Sequence, residues 1–534
     1  MSTAGRERDE ARRAIALLAG DLGLHAGEVE PRGELVAKVR PTVLARLGAP
    51  PAGRLVLVTA MTPTPRGEGK TTVAIGLVDA LRRLGVRALA TLRQPSLGPL
   101  FGRKGGGTGG GLSRLVPRQA IELGLTGDAH AVQAAHNLAA AFLDNHLHHG
   151  NALAIDPSRP TLPRVLDVSD RALRQVEVGL GPGDGPRRRT RFEITPASEV
   201  MAVLALASDA GDLRRRLGRI VAAERADGSP VSCEDLQVAG AMAALLREAL
   251  WPNLVQTREG TPVLVHTGAF ANLAHGCSSV LADRIGLGLS EVVVTEAGFG
   301  AELGAVKFVD LKCRQGGLRP AGAVLLATLG ALASHGVENL AAHLALLGEL
   351  GLPVVVGLNA APDDPPQELT RALEAIRALG VPSEACRPFD QGGAGCEALA
   401  RAALAVCTAP RALPPLYPDE LSLVGKLRRL ARLLGADDVE LTAAAADQAA
   451  QLEARGQGRL PVCLAKTHLS LSDQPGLRGR PRGWRLAVEE LRLQAGAGWV
   501  TAVCGPLSLM PGLPAAPAGA EIDVDAEGEV TGLR

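Results

Sequence analysis

Thr62-Pro-Thr-Pro-Arg-Gly-Glu-Gly-Lys-Thr-Thr72 follows an apolar run, Leu55 to Ala60, and leads into Val73-Ala-Ile-Gly-Leu-Val-Asp-Ala-Leu81, whose apolar residues recur at helical spacing. A strand feeding a glycine-bearing turn into a helix N-terminus presents unpaired backbone N–H groups and the positive end of the helix dipole to an anion. Lys70 adds a full charge and Thr71 a hydroxyl suited to a nucleotide's Mg²⁺. The stretch therefore predicts an ATP cradle formed by Thr62, Pro63, Thr64, Pro65, Arg66, Gly67, Glu68, Gly69, Lys70, Thr71 and Thr72. It departs from G-x-x-x-x-G-K-[ST] at one place, where Thr64 replaces the first glycine. Gly67 and Gly69 keep the loop able to bend close to phosphate. An ordinary strand-to-helix turn is the alternative.

Working outward, Leu55-Val-Leu-Val58 and Ala88-Leu-Ala-Thr-Leu92 read as buried strands flanking this helix, a βαβ unit. Short apolar runs follow at Val263-Leu-Val265, Val292-Val-Val-Thr295, Val324-Leu-Leu-Ala327 and Val354-Val-Val-Gly-Leu358, separated by Ala/Leu-rich stretches. That alternation predicts an α/β fold with a mostly parallel sheet, of the P-loop-containing nucleoside triphosphate hydrolase-like type. Residues 1 to about 50, with Leu35-Val-Ala-Lys-Val-Arg40, read as a polar helical arm, and about 160–255 as mostly helical. Within that stretch Gly181-Pro-Gly-Asp-Gly-Pro-Arg-Arg-Arg189 reads as an exposed excursion. The expected units are 1–360, then a second α/β region at 361–455 opened by Ala361-Pro-Asp-Asp-Pro-Pro366, then a small C-terminal unit at 456–534.

Composition narrows the function classes. The 534 residues, 46% apolar, exceed one core and fit two to four domains. With 57 basic and 56 acidic residues, nothing in the net charge points to nucleic acid or an anionic membrane as partner. Neither a signal peptide nor a membrane span is indicated, so a cytoplasmic protein is expected. The eight cysteines show no C-x-x-C and no metal-ligand spacing, and read as free thiols. Only seven of the basic residues are lysines, and five of these (Lys70, Lys104, Lys307, Lys312 and Lys466) fall in distinctive blocks where a compact ammonium is needed instead of a planar fork, unless they are surface charges.

Straight off the second strand comes Leu92-Arg-Gln-Pro-Ser-Leu-Gly-Pro-Leu-Phe-Gly-Arg-Lys-Gly-Gly-Gly-Thr-Gly-Gly-Gly111. Strand ends of this kind face the binding crevice of an open α/β sheet. The glycines offer a backbone-lined wall for an anion, with Arg93, Arg103 and Lys104 as cations and a flexible surface loop as the alternative. Downstream, Thr126-Gly-Asp128, His136-Asn137 and Asp144-Asn-His-Leu-His-His149 form a polar set in an apolar helix. Asp144, His146 and His148 sit two apart, which puts neighbours on different helix faces and argues for packing over metal ligation.

These blocks resemble the formate–tetrahydrofolate ligase family nearly end to end. The resemblance continues through Ile194-Thr-Pro-Ala-Ser-Glu-Val-Met-Ala202, Phe270-Ala-Asn-Leu-Ala-His-Gly-Cys277 and Val294-Thr-Glu-Ala-Gly-Phe-Gly-Ala-Glu-Leu-Gly304. It includes Asp310-Leu-Lys-Cys-Arg314, Leu460-Pro-Val-Cys-Leu-Ala-Lys-Thr467, Ser470-Leu-Ser-Asp473 and Met510-Pro-Gly-Leu-Pro514. It implies a P-loop domain with two smaller domains, a homotetramer, and conversion of ATP, formate and tetrahydrofolate to 10-formyltetrahydrofolate, ADP and phosphate. By resemblance Lys70, Arg93 and Asp128 are catalytic: Arg93 grips formate or formyl phosphate, and Asp128 lies near the reacting folate nitrogen. The segment Lys104, Gly105, Gly106 would wall off formyl phosphate, and Ala361, Pro362 and Phe389 would meet the pterin.

Departures fall largely on the folate side. Asn359-Ala-Ala-Pro362 carries Ala361 where the family places an aromatic, and Phe389 stands where Trp is frequent. Leu112 and Leu469 replace tyrosines, Gln94 replaces a glutamate, and Arg189 an acidic residue. The residues leave open a ligase acting on a modified folate or another amine, or a nucleotide-binding protein without turnover. Asp128 has a helix-capping alternative, and Phe389 a core alternative.

Overall fold

A computed structural model describes residues 13–48, 53–102, 107–505 and 507–533. Seven parallel strands run through its centre: β1 (Arg54–Ala60), β2 (Ala88–Leu92), β3 (Pro262–Val265), β4 (Val292–Glu296), β5 (Pro320–Ala327), β6 (Val354–Asn359) and β7 (Ser383–Cys386). Their order is β3-β2-β4-β1-β5-β6-β7. Antiparallel strands extend the β3 side: Asn253–Thr257 pairs with β3 and with Ala37–Val39, which pairs with Val29–Pro31. Several small sheets complete a mixed α/β architecture. The strand β7, drawn from the stretch after residue 361, is hydrogen-bonded into the large sheet beside β6.

Alternation along β1 divides the core. Leu55 and Leu57 join one apolar cluster with Ile285, Leu287, Leu340 and Leu346, while Val56, Val58 and Ala60 join another. This second cluster holds Val73, Ile75, Leu77, Val78 and Leu81 of α1 (Lys70–Arg83), the helix launched by the phosphate-loop sequence. Period 2 in a strand against period 3.6 in the next helix thus buries both faces of the sheet, each Leu or Val side chain contributing roughly 1.5–3 kcal/mol. From β1 the chain crosses to β2 on one side, and from β4 it passes to β5 on the other. The carboxyl ends of β4 and β1 therefore lie at the point where the winding reverses, where such sheets bind ligands.

Two sequence expectations fail. The arm expected to be helical contains the helix Ile15–Asp21 but also the strands Val29–Pro31 and Ala37–Val39; its first twelve residues lie outside those described. Leu35 to Arg40 falls within the arm read as helical, yet Ala37, Lys38 and Val39 are buried on both faces, and Val39 N donates to Pro252 O at 2.8 Å. The stretch 160–255 is mixed, not mostly helical. Arg164–Leu166 pairs in parallel with Phe192–Ile194, and Val221–Arg225 pairs with Pro230–Ser232 and with Ile155–Pro160. Strands of three to six residues carry too few positions for a period to register. The excursion at 181–189 is the turn of a hairpin that pairs Val176–Val178 with Arg188–Thr190, and Gly183 and Gly185 in it have positive φ.

The scarce lysines are mostly interior. Lys38, Lys307, Lys312, Lys426 and Lys466 are buried, which removes the surface-charge alternative for three of the five singled out by sequence. Lys466 donates to the carbonyls of Thr467, Ser470 and Ser472 at 3.0, 2.6 and 3.2 Å. Lys426 donates to Gly458 O and Leu460 O at 2.7 and 3.0 Å. Three tetrahedral donors collecting carbonyls is a task a guanidinium fork performs poorly. All eight cysteines are buried free thiols.

Candidate active site

The phosphate loop is held from several sides. Gly67 and Gly69 have φ of 79° and 69°, and Gly69 is the N-cap of α1. Glu68, within the loop, is buried; its carboxylate accepts from Thr64 N at 2.7 Å and from Thr328 Oγ1 at the end of β5. Asn359, closing β6, donates to Glu68 O at 3.1 Å. Asn339 donates to Thr62 Oγ1 at 3.0 Å and accepts from Thr62 N at 3.3 Å. Pro65, Arg66 and Gly67 stay exposed at the tip. A loop braced this way offers its N–H groups without reorganising when an anion arrives.

Beside it lies an acid that sequence reasoning quoted but gave no role. Glu296, the last residue of β4, is buried and accepts from Thr71 Oγ1 at 2.8 Å through Oε2. Its Oε1 lies 3.8 Å from Arg93 Nε. One carboxylate thus joins the phosphate-loop hydroxyl to the cation leaving β2. An acid closing the apolar run Val292 to Thr295, on the strand adjacent to β1, was the available signal. Gly298 makes room for Arg93: a Cβ there would lie 3.2 Å from Arg93 Nη1 and 2.6 Å from Ala271 Cβ.

Asp128 opens α2 (Asp128–His148) without capping it, because Gly127 is the N-cap, at φ 85°, and no side-chain cap bond forms. The capping alternative is set aside. The Asp128 carboxylate instead meets Lys38, with Nζ 2.6 Å from Oδ1 and 2.7 Å from Oδ2. Asn253 Nδ2 donates to Oδ2 at 2.8 Å, and Thr126 Oγ1 lies 3.3 Å from Oδ1. The Thr126 hydroxyl gives its hydrogen to Asn253 Oδ1 at 2.6 Å, so Lys38 and Asn253 are the donors that hold the Asp128 carboxylate. Lys38, 90 residues upstream, gave no signal beyond being one of few lysines. Gln94 Nε2 donates to Gly124 O at 3.3 Å, tying the loop after β2 to the turn before α2.

Of the residues that the resemblance assigns to the pterin, Ala361 and Pro362 follow β6 and Phe389 lies in the short helix Pro388–Gln391. Phe389 is 49% exposed, so the core alternative fails. Its carbonyl accepts from Leu112 N at 2.8 Å, and a Cβ on Gly110 would come within 3.1 Å of its ring. Arg387 Nη2 reaches Pro362 O at 3.4 Å, and Ala361 is exposed. The ring therefore leans on the described end of the glycine-rich segment. Arg103, Lys104, Gly105 and Gly106 lie outside the described residues. In α2, Asp144 pairs with Arg164 and Arg188, and His146 Nε2 accepts from Leu153 N at 3.0 Å. Buried His136 contacts Pro163 O at 2.6 Å, and desolvation lowers it to about 4. These are packing roles. Among the described residues no cluster of three or more His, Cys, Asp or Glu is placed to hold a metal ion, and no helix is long and apolar enough to cross a membrane.

Comparison with known proteins gives the family to which the whole chain is similar. The formate–tetrahydrofolate ligase family profile matches residues 5–534. A formate–tetrahydrofolate ligase of Roseiflexus castenholzii is 51% identical, with 98% of each chain covered. Proteins of the same description from Paracoccus denitrificans and Saccharopolyspora erythraea are 50% and 48% identical, again over 98% of each chain.

Proposed function

The chain belongs to the formate–tetrahydrofolate ligase family and is an ATP-dependent ligase of formate and tetrahydrofolate; we propose that it works through formyl phosphate, made where Lys70, Thr71, Arg93 and Glu296 gather. The observation that carries this reading is the bridge Thr71–Glu296–Arg93, which sets a carboxylate-binding cation beside a phosphate loop. Formate and the γ-phosphate are both anions, so cations must face each before their oxygens approach. A formate oxygen bonds to the γ-phosphorus as the bond to ADP breaks. The folate amine then attacks the formyl carbon, phosphate leaves, and the proton from nitrogen passes to the departing phosphate or to solvent, which yields 10-formyltetrahydrofolate. Thr71 Oγ1 and the Glu296 carboxylate are hard oxygen donors that suit Mg²⁺ entering with ATP. When bound, the ion would neutralise phosphate charge.

Asp128, by resemblance close to the reacting nitrogen, is held by Lys38 and Asn253. In this reading it acts as a fixed negative charge that favours the cationic adduct, with Lys38 holding its orientation. The glycine wall, Lys104 to Gly106 included, excludes water from formyl phosphate. Assembly as a homotetramer and a cytoplasmic location belong to the same proposal; a division near residue 360 does not, because β7 beyond it extends the large sheet. The test is ADP release with each substrate omitted in turn. Release should require formate and tetrahydrofolate together; an unchanged rate without formate would end the ligase reading, and fast release with formate alone would end the sheltered intermediate.

Phe389 supplies one face of a thinned pterin clamp, with Ala361 leaving the other uncovered. Because the ring is half exposed, Phe389→Ala should keep the melting temperature near wild type. Tetrahydrofolate affinity should fall about two- to tenfold, the worth of one aromatic stack, and Ala361→Phe should raise it similarly. Titration calorimetry with tetrahydrofolate reads both, and unchanged affinity in both variants would move the pterin elsewhere.

A further inference from the structure

Just beyond β3 the chain adopts a conformation that threonine resists. Thr267 has φ +53°, in the left-handed region where a β-branched residue is an outlier. It is 1% exposed, and its Oγ1 is buried with no hydrogen-bond partner among the described residues. Backbone strain and an unmet buried hydroxyl both oppose folding, and their coincidence just past the carboxyl end of a sheet strand calls for a functional reason.

Strand register places Thr267 next to Arg93. Val265 lies opposite Leu92, His266 N donates to Leu92 O at 3.0 Å, and Gln94 N donates to Thr267 O at 2.7 Å. The left-handed step shifts the ladder by one residue, so that Thr267, and not His266, receives the Gln94 amide. The next residue is packed tightly as well, since a Cβ on Gly268 would lie 2.7 Å from Gln94 O. Thr267 is therefore locked to the backbone directly after Arg93. Arg93 Nε is also buried and without a hydrogen-bond partner among the described residues. The Arg93 Nε, facing Glu296 Oε1 across 3.8 Å but with no hydrogen bond, and the unmet Thr267 hydroxyl stand at the carboxyl ends of adjacent strands. That pairing suits a small planar anion with two oxygens.

We propose that Thr267 Oγ1 is a second ligand for formate, donating to one carboxylate oxygen while Arg93 holds the other. The proposal rests on the reading of Arg93 as the formate cation. It makes Thr267 a substrate-binding residue whose strained backbone is the means of delivering its hydroxyl.

Three variants separate hydroxyl from strain, read by steady-state kinetics in formate with ATP and tetrahydrofolate saturating. Thr267→Ser should keep KM for formate within about twofold. Thr267→Ala and Thr267→Gly should raise it roughly tenfold or more, because a hydrogen bond to a charged group is lost. KM for ATP should not move, and the glycine variant, relaxed at positive φ, should melt no lower than the alanine variant. Wild-type KM for formate in both Ala and Gly variants would overturn the proposal, as would a change confined to the glycine variant, which would assign the effect to backbone conformation. Arg93→Lys serves as the control. If it raises KM for formate while Thr267→Ala does not, only the role of Thr267 fails; if neither does, the placement of formate at Arg93 fails with it.

Discussion

Lys70→Ala should lower kcat by on the order of 10²–10³-fold or more while leaving the fold intact. The ammonium is the one full positive charge that the phosphate-loop sequence sets at the start of α1, and the transferring phosphoryl group spreads negative charge over its oxygens at that point. Arg66, the loop's other cation, sits exposed at the tip and away from the helix start. Glu68 and Asn359 hold the loop shape through Thr64, Thr328 and the Glu68 carbonyl, and Asn339 holds Thr62; none of these contacts uses the Lys70 side chain. The expected signature is thus a collapse of turnover with a melting temperature near wild type and tetrahydrofolate affinity unchanged. Turnover within tenfold of wild type would place the transferred phosphoryl group away from α1. A large drop in melting temperature would mean that Lys70 is a structural residue first.

What the sequence disclosed and what it withheld divide by distance along the chain. The phosphate loop was legible because strand, turn, cation and hydroxyl are contiguous from Leu55 to Leu81, and the parallel sheet was legible because buried strands read as short apolar runs. Glu296 reaches Thr71 across 225 positions, Asn339 reaches Thr62 across 277, and Lys38 reaches Asp128 across 90. No local spacing encodes such meetings; strand order does. Thr267 was hidden for another reason, since nothing in His266-Thr-Gly268 announces a left-handed threonine. The mixed structure of 160–255 was missed because Arg164–Leu166 and Phe192–Ile194 become strands by pairing with each other, and three residues do not declare a period.

Lys38→Met should be the most destabilising single change in the site region, by about 3–5 kcal/mol, because it leaves the Asp128 carboxylate buried without its counter-charge. The two side chains are 1% and 4% exposed, and the remaining donor, Asn253, is neutral and too weak to replace an ammonium held at 2.6 and 2.7 Å. Lys38→Met combined with Asp128→Asn removes both charges and keeps an amide oxygen for Asn253. Most of the stability should return, since a buried pair replaced whole costs far less than a pair broken. Turnover should not return with it. If Asp128 favours the positive charge that develops on the folate nitrogen, a neutral amide of the same shape loses that help, and kcat in the stable double variant should stay at least tenfold down. Thermal melts and kcat measured on the same preparations decide the matter. A double variant that is stable and as fast as wild type would make Asp128 an anchor for the first turn of α2 and nothing more, and the charge facing the reacting nitrogen would then have to come from a different residue.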